Sequence, residues 1–321
     1  MNTPVVFFAF RRVDTTRHVL AALRTQTVRF PLIIAFSDGA RHDEDAPHVE
    51  AVRALLRAID WTEVQLVERE YNYGGPANLI QGISQVFESY ERAVIVEDDV
   101  LPSPHFYEAM CKLLDHYQSA SSIFSVGGYP SLLRDSLPNY PYDVILSPRF
   151  SVWGWATWSD RWKQVRDRLF NFKNPFSTPD DVPLRAGADL HTMACEAEHE
   201  LRGFFWAGTA LALLSLYHGW LHALTTGYLV NNIGLNTGQH ARENVNMRTL
   251  TAFLAEHNAI ADKVPERFPP VEPRSDVAAA VQCYVDAINH ITTRRRGTLW
   301  LPRLRRWLNQ LRKEYQNRGG A

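Results

Sequence analysis

Cysteine is scarce: Cys111, Cys195 and Cys283 lie far apart in 321 residues, with no CxxC pair. That argues against a disulfide framework and against a cysteine zinc site, and it suits a reducing compartment. Long hydrophobic runs are missing too. The longest, Phe204 to Tyr217, falls short of the roughly 20 residues a membrane span needs and reads as a buried helix. In "MNTPVVFFAFRR" the charges follow a short apolar run rather than precede it, so the opening reads as a first strand and not as a signal peptide. Net charge is close to nil, at −1, which argues against a general nucleic-acid coat. No glycine follows the first strand, so "FAFRRVDTT" lacks the phosphate loop that a sugar nucleotidyltransferase wants. Repeats and low-complexity blocks are absent.

What is present is a large apolar content, 45% of residues, enough for two closely joined lobes around a substantial core. The first 130 residues alternate strand and helix signals. "PVVFFAF" and "PLIIAFSDG" are β-rich runs, and Thr15 to Leu23 carries helical spacing between them. "HVEAVRALLRAID" places Val49, Val52, Leu55, Leu56 and Ile59 on one helix face. "TEVQLVE" alternates, "GGPANLIQGISQVFESYE" is helical after its turn, and "AVIVEDD" is a fourth strand. This order predicts an α/β fold, a Rossmann-like, mostly parallel sheet with helices on both faces. Ligands of such sheets collect at the carboxyl ends of the strands. There the chain has Arg11 and Arg12, then Ser37, Asp38 and Gly39, then Asn72, Gly74 and Gly75, then Glu97, Asp98 and Asp99.

Three adjacent acids after a buried strand repel one another unless a cation intervenes. Carboxylate oxygens are hard ligands suited to Mg²⁺ or Mn²⁺, held by one or two carboxylates together with substrate phosphates. A divalent metal would relieve the repulsion. A signalling receiver domain also pairs acids at a strand end, but its acids open the chain and a later strand supplies a phosphoacceptor Asp, where "YDVILSP" offers Ser147. A phosphatase of the DxD type needs Asp at the position of Glu97.

The succession "FAFRR", "SDG", "NYGGPANLIQGI", "VIVEDDVLPSPHFYEAM" and "WGWATW" resembles the GT-A nucleotide-sugar glycosyltransferases. The likeness is to N-acetylglucosaminyltransferase I and to the bacterial surface-polysaccharide transferases akin to it, and it runs from Pro4 to His240. It implies a GT-A fold with an acceptor-side lobe and a helical C-terminal tail. Residues 1–125 form the nucleotide-sugar-binding half, 126–250 the acceptor-side half, and 251–321 a helical extension. Carried over position by position, it implies that Arg11 contacts the nucleoside or its phosphates and that Asp38 hydrogen-bonds the base, usually uracil. Phe10, Asn72, Gly74, Gly75 and Asn78 complete the nucleotide site. Glu97 and Asp98 orient ribose and sugar, Asp99 ligates Mn²⁺ or Mg²⁺, and His240 in "NTGQH" reaches the metal or diphosphate. Trp153, Gly154 and Trp155 border donor and acceptor, with Trp162 in the core.

The resemblance breaks where an inverting transferase keeps its base. "RGFFWAGTAL" has no carboxylate before Trp206. Glu200, which shares a helix face with Glu196, is the nearest acid and the named catalytic base, against a reading of both as a solvated helix face. Inverting and retaining chemistry both stay open, as does an inactive, sugar- or nucleotide-binding relative. From Arg294 onward nine basic residues meet one acid, Glu314, with Trp300, Leu304, Trp307, Leu308, Leu311 and Tyr315 at helical spacing. Such a helix, over 294–318, either lies on an anionic membrane surface or docks its stripe on the body. The first case fits a lipid-linked saccharide acceptor and a place at the inner face of the cytoplasmic membrane. "VPERFPPVEP" reads as a linker.

Overall fold

The computed structural model describes residues 3–130, 140–170, 172–173, 175–176, 207–234, 261 and 263–271. The parts of the sequence that carry Glu200, His240 and the basic tail lie outside these residues.

The expected alternation is present. Strand β1 (Val5–Ala9) leads to helix α1 (Val13–Arg24), β2 (Leu32–Ser37) to α2 (Ala46–Arg57), β3 (Glu63–Glu68) to α3 (Gly75–Val86), and β4 (Arg92–Glu97) follows. The helices form because their apolar residues recur at three- and four-residue spacing: Thr16, Val19, Leu20 and Leu23 are the buried positions of α1, and Val49, Val52 and Leu56 those of α2. Short β5 (Val100–Pro102), α4 (Phe106–Tyr117), β6 (Ile123–Gly127), β7 (Val144–Ser147) and β8 (Trp155–Trp158) come next. They are followed by α5 (Ser159–Trp162), α6 (Arg166–Phe170), α7 (Ala207–His218), β9 (Leu221–Thr225) and β10 (Val230–Asn232). The apolar run read as a buried helix is α7, whose residues from Ala207 to Leu216 are buried except Gly208.

Eight strands form one mixed sheet in the order β3-β2-β1-β4-β8-β6-β9-β7, and β5 pairs with β10 in a second. Strands β1 to β4 are mutually parallel, as are β6 and β9, while β8 runs antiparallel to both β4 and β6. Side chains alternate across the sheet. Val5, Phe7, Ile33, Ala35, Val94 and Val96 join the core beneath α1, α2 and α4. Val6, Phe8, Ile34, Phe36, Ala93 and Ile95 join the core shared with α3 and α7. Both faces are covered, which is why these strands read as continuous apolar runs.

The chain builds outward from β1 through β2 to β3, then returns to the other side of β1 as β4. That reversal opens a crevice between the carboxyl ends of β1 and β4. A strand from much later in the chain reaches the same place: β10 pairs antiparallel with β5, and the Ile233 N–H donates to the Asp99 carbonyl at 2.8 Å.

The segment read as a linker is docked instead. Asp143 accepts hydrogen bonds from the Glu266 and Arg267 N–H groups at 3.1 and 3.0 Å, and from Lys263 Nζ and the Arg267 guanidinium at 3.3 and 3.0 Å. Phe268 stacks on His116, with ring centroids 4.3 Å apart. Local composition, rich in proline, spoke only for irregular backbone; the anchor is 123 residues upstream in sequence.

Candidate functional site

The crevice between β1 and β4 is where the polar residues of the sequence converge. Asp98 and Asp99 follow β4 directly and are buried. The Asp98 N–H donates to the Phe8 carbonyl at 2.9 Å, and the Phe10 N–H donates back to Asp98 Oδ2 at 3.3 Å, so the acid is tied to the end of β1. The cation on the acids is Arg12. Its guanidinium bridges Asp98 Oδ1 and Asp99 Oδ2, the latter at 2.6 Å.

Arg11 and Arg12 leave the turn between β1 and α1 in different directions. Arg11 pairs with buried Asp45 and lies, with Arg41, against the Phe10 ring, their guanidinium carbons 5.7 and 5.3 Å from its centroid. Sequence reasoning had named a divalent metal as the relief for the acids and Arg11 as the functional arginine; in the structure Arg12 supplies part of that relief.

One guanidinium does not balance three acids. Burial pushes the Glu97 carboxyl up to about 8, Asp99 adds to that by repulsion, and Arg12 opposes it. Asp98 also titrates high, again mainly through burial, with Arg12 and the Phe10 N–H working against the shift. Burial disfavours the Arg12 cation, but its carboxylate neighbours outweigh that and hold it charged.

A neighbouring glycine closes one side of Asp99. A Cβ on Gly234 would stand 2.6 Å from the Asp99 Cβ and 2.8 Å from its Cγ, closer than such atoms can pack. Sequence reasoning placed Arg12 at this edge without giving it the acids, and it missed Gly234. "FRR" does not say which arginine faces which acid, and Gly234 gives no local signal because its neighbour is distant in sequence.

Asp38 follows β2 directly and organises the loop after β3. Its oxygens accept the N–H groups of Gly39, Tyr73 and Gly74 at 3.0, 2.8 and 3.0 Å and the Asn72 amide at 3.2 Å. Burial nevertheless raises its titration, and those N–H bonds only offset part of the rise. Gly74, at φ 78°, precedes α3, and open space surrounds the Cβ positions of Gly74 and Gly75. Asn78 accepts from Arg69 Nε at 3.2 Å, while the Arg69 guanidinium lies 4.8 Å from the Tyr73 ring centroid. Asp38, Phe10 and Asp98 stand on neighbouring strand ends, since the Asp38 N–H donates to the Ala9 carbonyl at 3.0 Å.

The tryptophan segment divides differently from expectation. Trp153 is partly buried, edge-on to Tyr129 with centroids 4.6 Å apart. Trp155 is a core residue and not a lining one: it is 0% exposed in β8, packed on Phe150 and Trp162. A fully buried indole offers no face to a sugar, and the antiparallel pairing of β8 with β4 puts it there. Gly154 serves the backbone: φ is 61°, and a Cβ would meet Val230 Cγ1 at 2.5 Å. Trp162 is core, as expected, and donates to Ser84 Oγ at 2.9 Å.

Among the described residues no group of three or more His, Cys, Asp or Glu side chains is arranged to hold a metal ion. The donor set fits a cation with few protein ligands. Asp98 has both oxygens engaged, whereas Asp99 Oδ1 and the Glu97 carboxylate accept no hydrogen bond from the described residues. One or two carboxylate oxygens, completed by substrate phosphates and water, are how Mg²⁺-type ions are commonly bound. His240 and Glu200 lie outside the described residues.

No protein-family model matches the chain, and no curated protein matches it. Among solved structures it is similar to a mannosyltransferase, PcManGT, from Pyrobaculum calidifontis, in complex with GDP-Man and Mn²⁺. That match has 14% identity and a TM-score of 0.44, and covers 97% of this chain and 80% of that one. It is also similar to S. aureus TarS 1-349 in complex with UDP-GlcNAc, at 12% identity and TM-score 0.38, over 72% of this chain and 57% of that one. Mouse xyloside xylosyltransferase 1 in its apo form gives 9% identity and TM-score 0.40, over 78% and 93%.

Proposed function

We propose that the chain is a glycosyltransferase that takes a sugar from a nucleoside-diphosphate donor, a UDP-sugar, and passes it to a saccharide or lipid-linked saccharide in surface-polysaccharide or glycoconjugate assembly. The observation that carries this reading is the acid triplet at the end of β4, set against the Phe10–Arg12 turn where the strand order reverses. Asp38, Asn72, Gly74, Gly75 and Asn78 occupy the next strand ends and would form the nucleotide wall. Residues 1–125 hold the donor, 126–250 face the acceptor, and 251–321 form the extension.

In the reaction an acceptor hydroxyl attacks the anomeric carbon, and the bond from that carbon to the phosphate oxygen breaks. The nucleoside diphosphate leaves with the electron pair, and the hydroxyl proton passes to a base. Glu200 is the carboxylate proposed for that proton. Glu97 and Asp98 orient ribose and sugar. Asp99, through the oxygen that Arg12 does not hold, and His240 would carry Mn²⁺ or Mg²⁺, which offsets charge on the departing diphosphate. Trp153 is the tryptophan left to meet a sugar face.

Among the described residues no helix is long and apolar enough to cross a membrane. We assign the chain a cytoplasmic place, peripheral at the membrane through residues 294–318; liposome co-sedimentation that survives deletion of 294–321 overturns that assignment. The central test is a thermal-shift screen of UDP- and GDP-sugars with Mn²⁺, followed by transfer assays. A selective, metal-dependent stabilisation with turnover is expected, and Asp99→Asn should abolish turnover. Binding without turnover across a broad acceptor panel would make the chain an inactive nucleotide-sugar binder instead.

A further inference from the structure

Arg12 stands where an incoming cation would have to go. Its guanidinium holds Asp99 Oδ2 at 2.6 Å and also bridges to Asp98 Oδ1, while the Phe10 N–H fixes the other Asp98 oxygen at 3.3 Å. Gly234 walls off Asp99 on another side, with no room for even a Cβ, so the carboxylate cannot swing clear of the guanidinium in that direction. A divalent ion approaching Asp99 in the free protein therefore meets a positive charge already in hydrogen-bond contact with its ligand. Like charges at that range in a half-buried site oppose each other strongly.

A nucleoside diphosphate changes the balance. Its phosphate oxygens offer the planar guanidinium a second anionic partner that can accept two of its N–H groups at once, and they offer the metal the rest of its ligands.

We infer that Arg12 is a positioning residue that makes divalent-cation binding conditional on the nucleoside diphosphate, by occupying Asp98 and Asp99 until the diphosphate draws it away. This rests on the nucleotide-sugar reading above. Neither the resemblance seen in the sequence nor the acid triplet itself assigns Arg12 this part.

The test is Mn²⁺ binding followed by electron paramagnetic resonance, on the full chain, with Mn²⁺ alone and with UDP or GDP added. The wild type should bind Mn²⁺ weakly alone and much more tightly with one of the nucleotides. Arg12→Gln should bind Mn²⁺ alone at least about tenfold more tightly than wild type, the scale on which a neighbouring charge moves a carboxylate's affinity for a cation, and should lose most of the nucleotide dependence. A gain of binding is a readout that mere structural damage would not produce. Arg12→Lys, which keeps one charge but cannot bridge two carboxylates, should fall between, and it replaces the glutamine variant if that one fails to fold.

Equal affinity for free Mn²⁺ in wild type and variants overturns the inference while leaving the glycosyltransferase reading intact if the wild type still binds Mn²⁺ with nucleotide. If no protein binds Mn²⁺ under either condition, both fail.

Discussion

Asp143 and the acid triplet at the end of β4 both meet arginine, and they end up doing opposite things. At Asp143 the accounting closes within the fold: one carboxylate receives two backbone N–H groups, a lysine and an arginine. Burial alone would raise its titration, but the Arg267 side chain and those N–H bonds outweigh it and hold Asp143 below the usual carboxylate range. At the end of β4 three acids share one guanidinium, and burial with mutual repulsion pushes Glu97 up to about 8. A satisfied acid is a clamp; an acid cluster that keeps a proton for want of a cation is a place waiting for something positive. The contrast teaches that burial of acids says little until the donors around them are counted.

The comparison breaks most visibly at the clamp. Asp143→Ala leaves two N–H groups without their acceptor and loosens the strap of residues 263–271, which keeps the Asp143 N–H bond to the Arg267 carbonyl and the Phe268 stack on His116. A loss of about 3 kcal/mol is expected in urea unfolding, most of it from the two backbone N–H bonds to the buried, ionised carboxylate, because Lys263 and Arg267 are exposed and their charges are screened. A loss under about 1 kcal/mol would mean that the strap is not held by this residue. Next in size is Gly234→Ala, which must displace Asp99 or the backbone of β10's exit. About 2 kcal/mol of destabilisation is expected, together with weaker nucleotide-dependent Mn²⁺ binding.

Glu97→Gln acts in the other direction. Folded Glu97 keeps its proton up to about pH 8, whereas an unfolded glutamate releases it near 4.5. The native residue thus costs stability above pH 4.5, increasingly until about pH 8. The glutamine variant should gain about 1.5 kcal/mol at pH 5.5, more as the pH rises toward 8, and nothing well below pH 4.5. No gain at either pH would show the cluster to be as well compensated as Asp143.

The smallest effect belongs to a buried base that meets no carboxylate among the described residues. His222 is fully buried, bonded through Nδ1 to Ser125 Oγ at 2.8 Å and set against the rings of Phe124 and Phe150. Burial drives its titration down to about 3. Below pH 6.5 the unfolded chain gains a proton that the folded one refuses, so stability falls as the pH drops, by about 1 kcal/mol between 6.5 and 5.5. Glu97 predicts the reverse slope over that range. Unfolding curves of His222→Asn and Glu97→Gln separate the two, since each variant should flatten only its own contribution.

Much of the framework was legible from local pattern. The strands and helices up to β4, the parallel order and the buried helix at Ala207–His218 follow from apolar spacing, which is set by neighbours in sequence. So does the arrival of Asp38, Asn72, Gly74 and the acid triplet at one sheet edge, because each ends a strand of the same direction. Trp155 was misread because a tryptophan-rich motif looks the same whether its rings face a ligand or a core; the strand it sits on decides, and β8 runs through the middle of the sheet. The docking of "VPERFPPVEP" was hidden because its partner, Asp143, is far away in sequence.

The sequence by itself determined the layering and the edge at which the acids gather, since side-chain period and strand direction are local properties. Tertiary structure alone decided which arginine faces them. Arg11 and Arg12 are chemically identical and adjacent, and only the turn from β1 into α1 turns one toward Asp45 and the other onto Asp98 and Asp99.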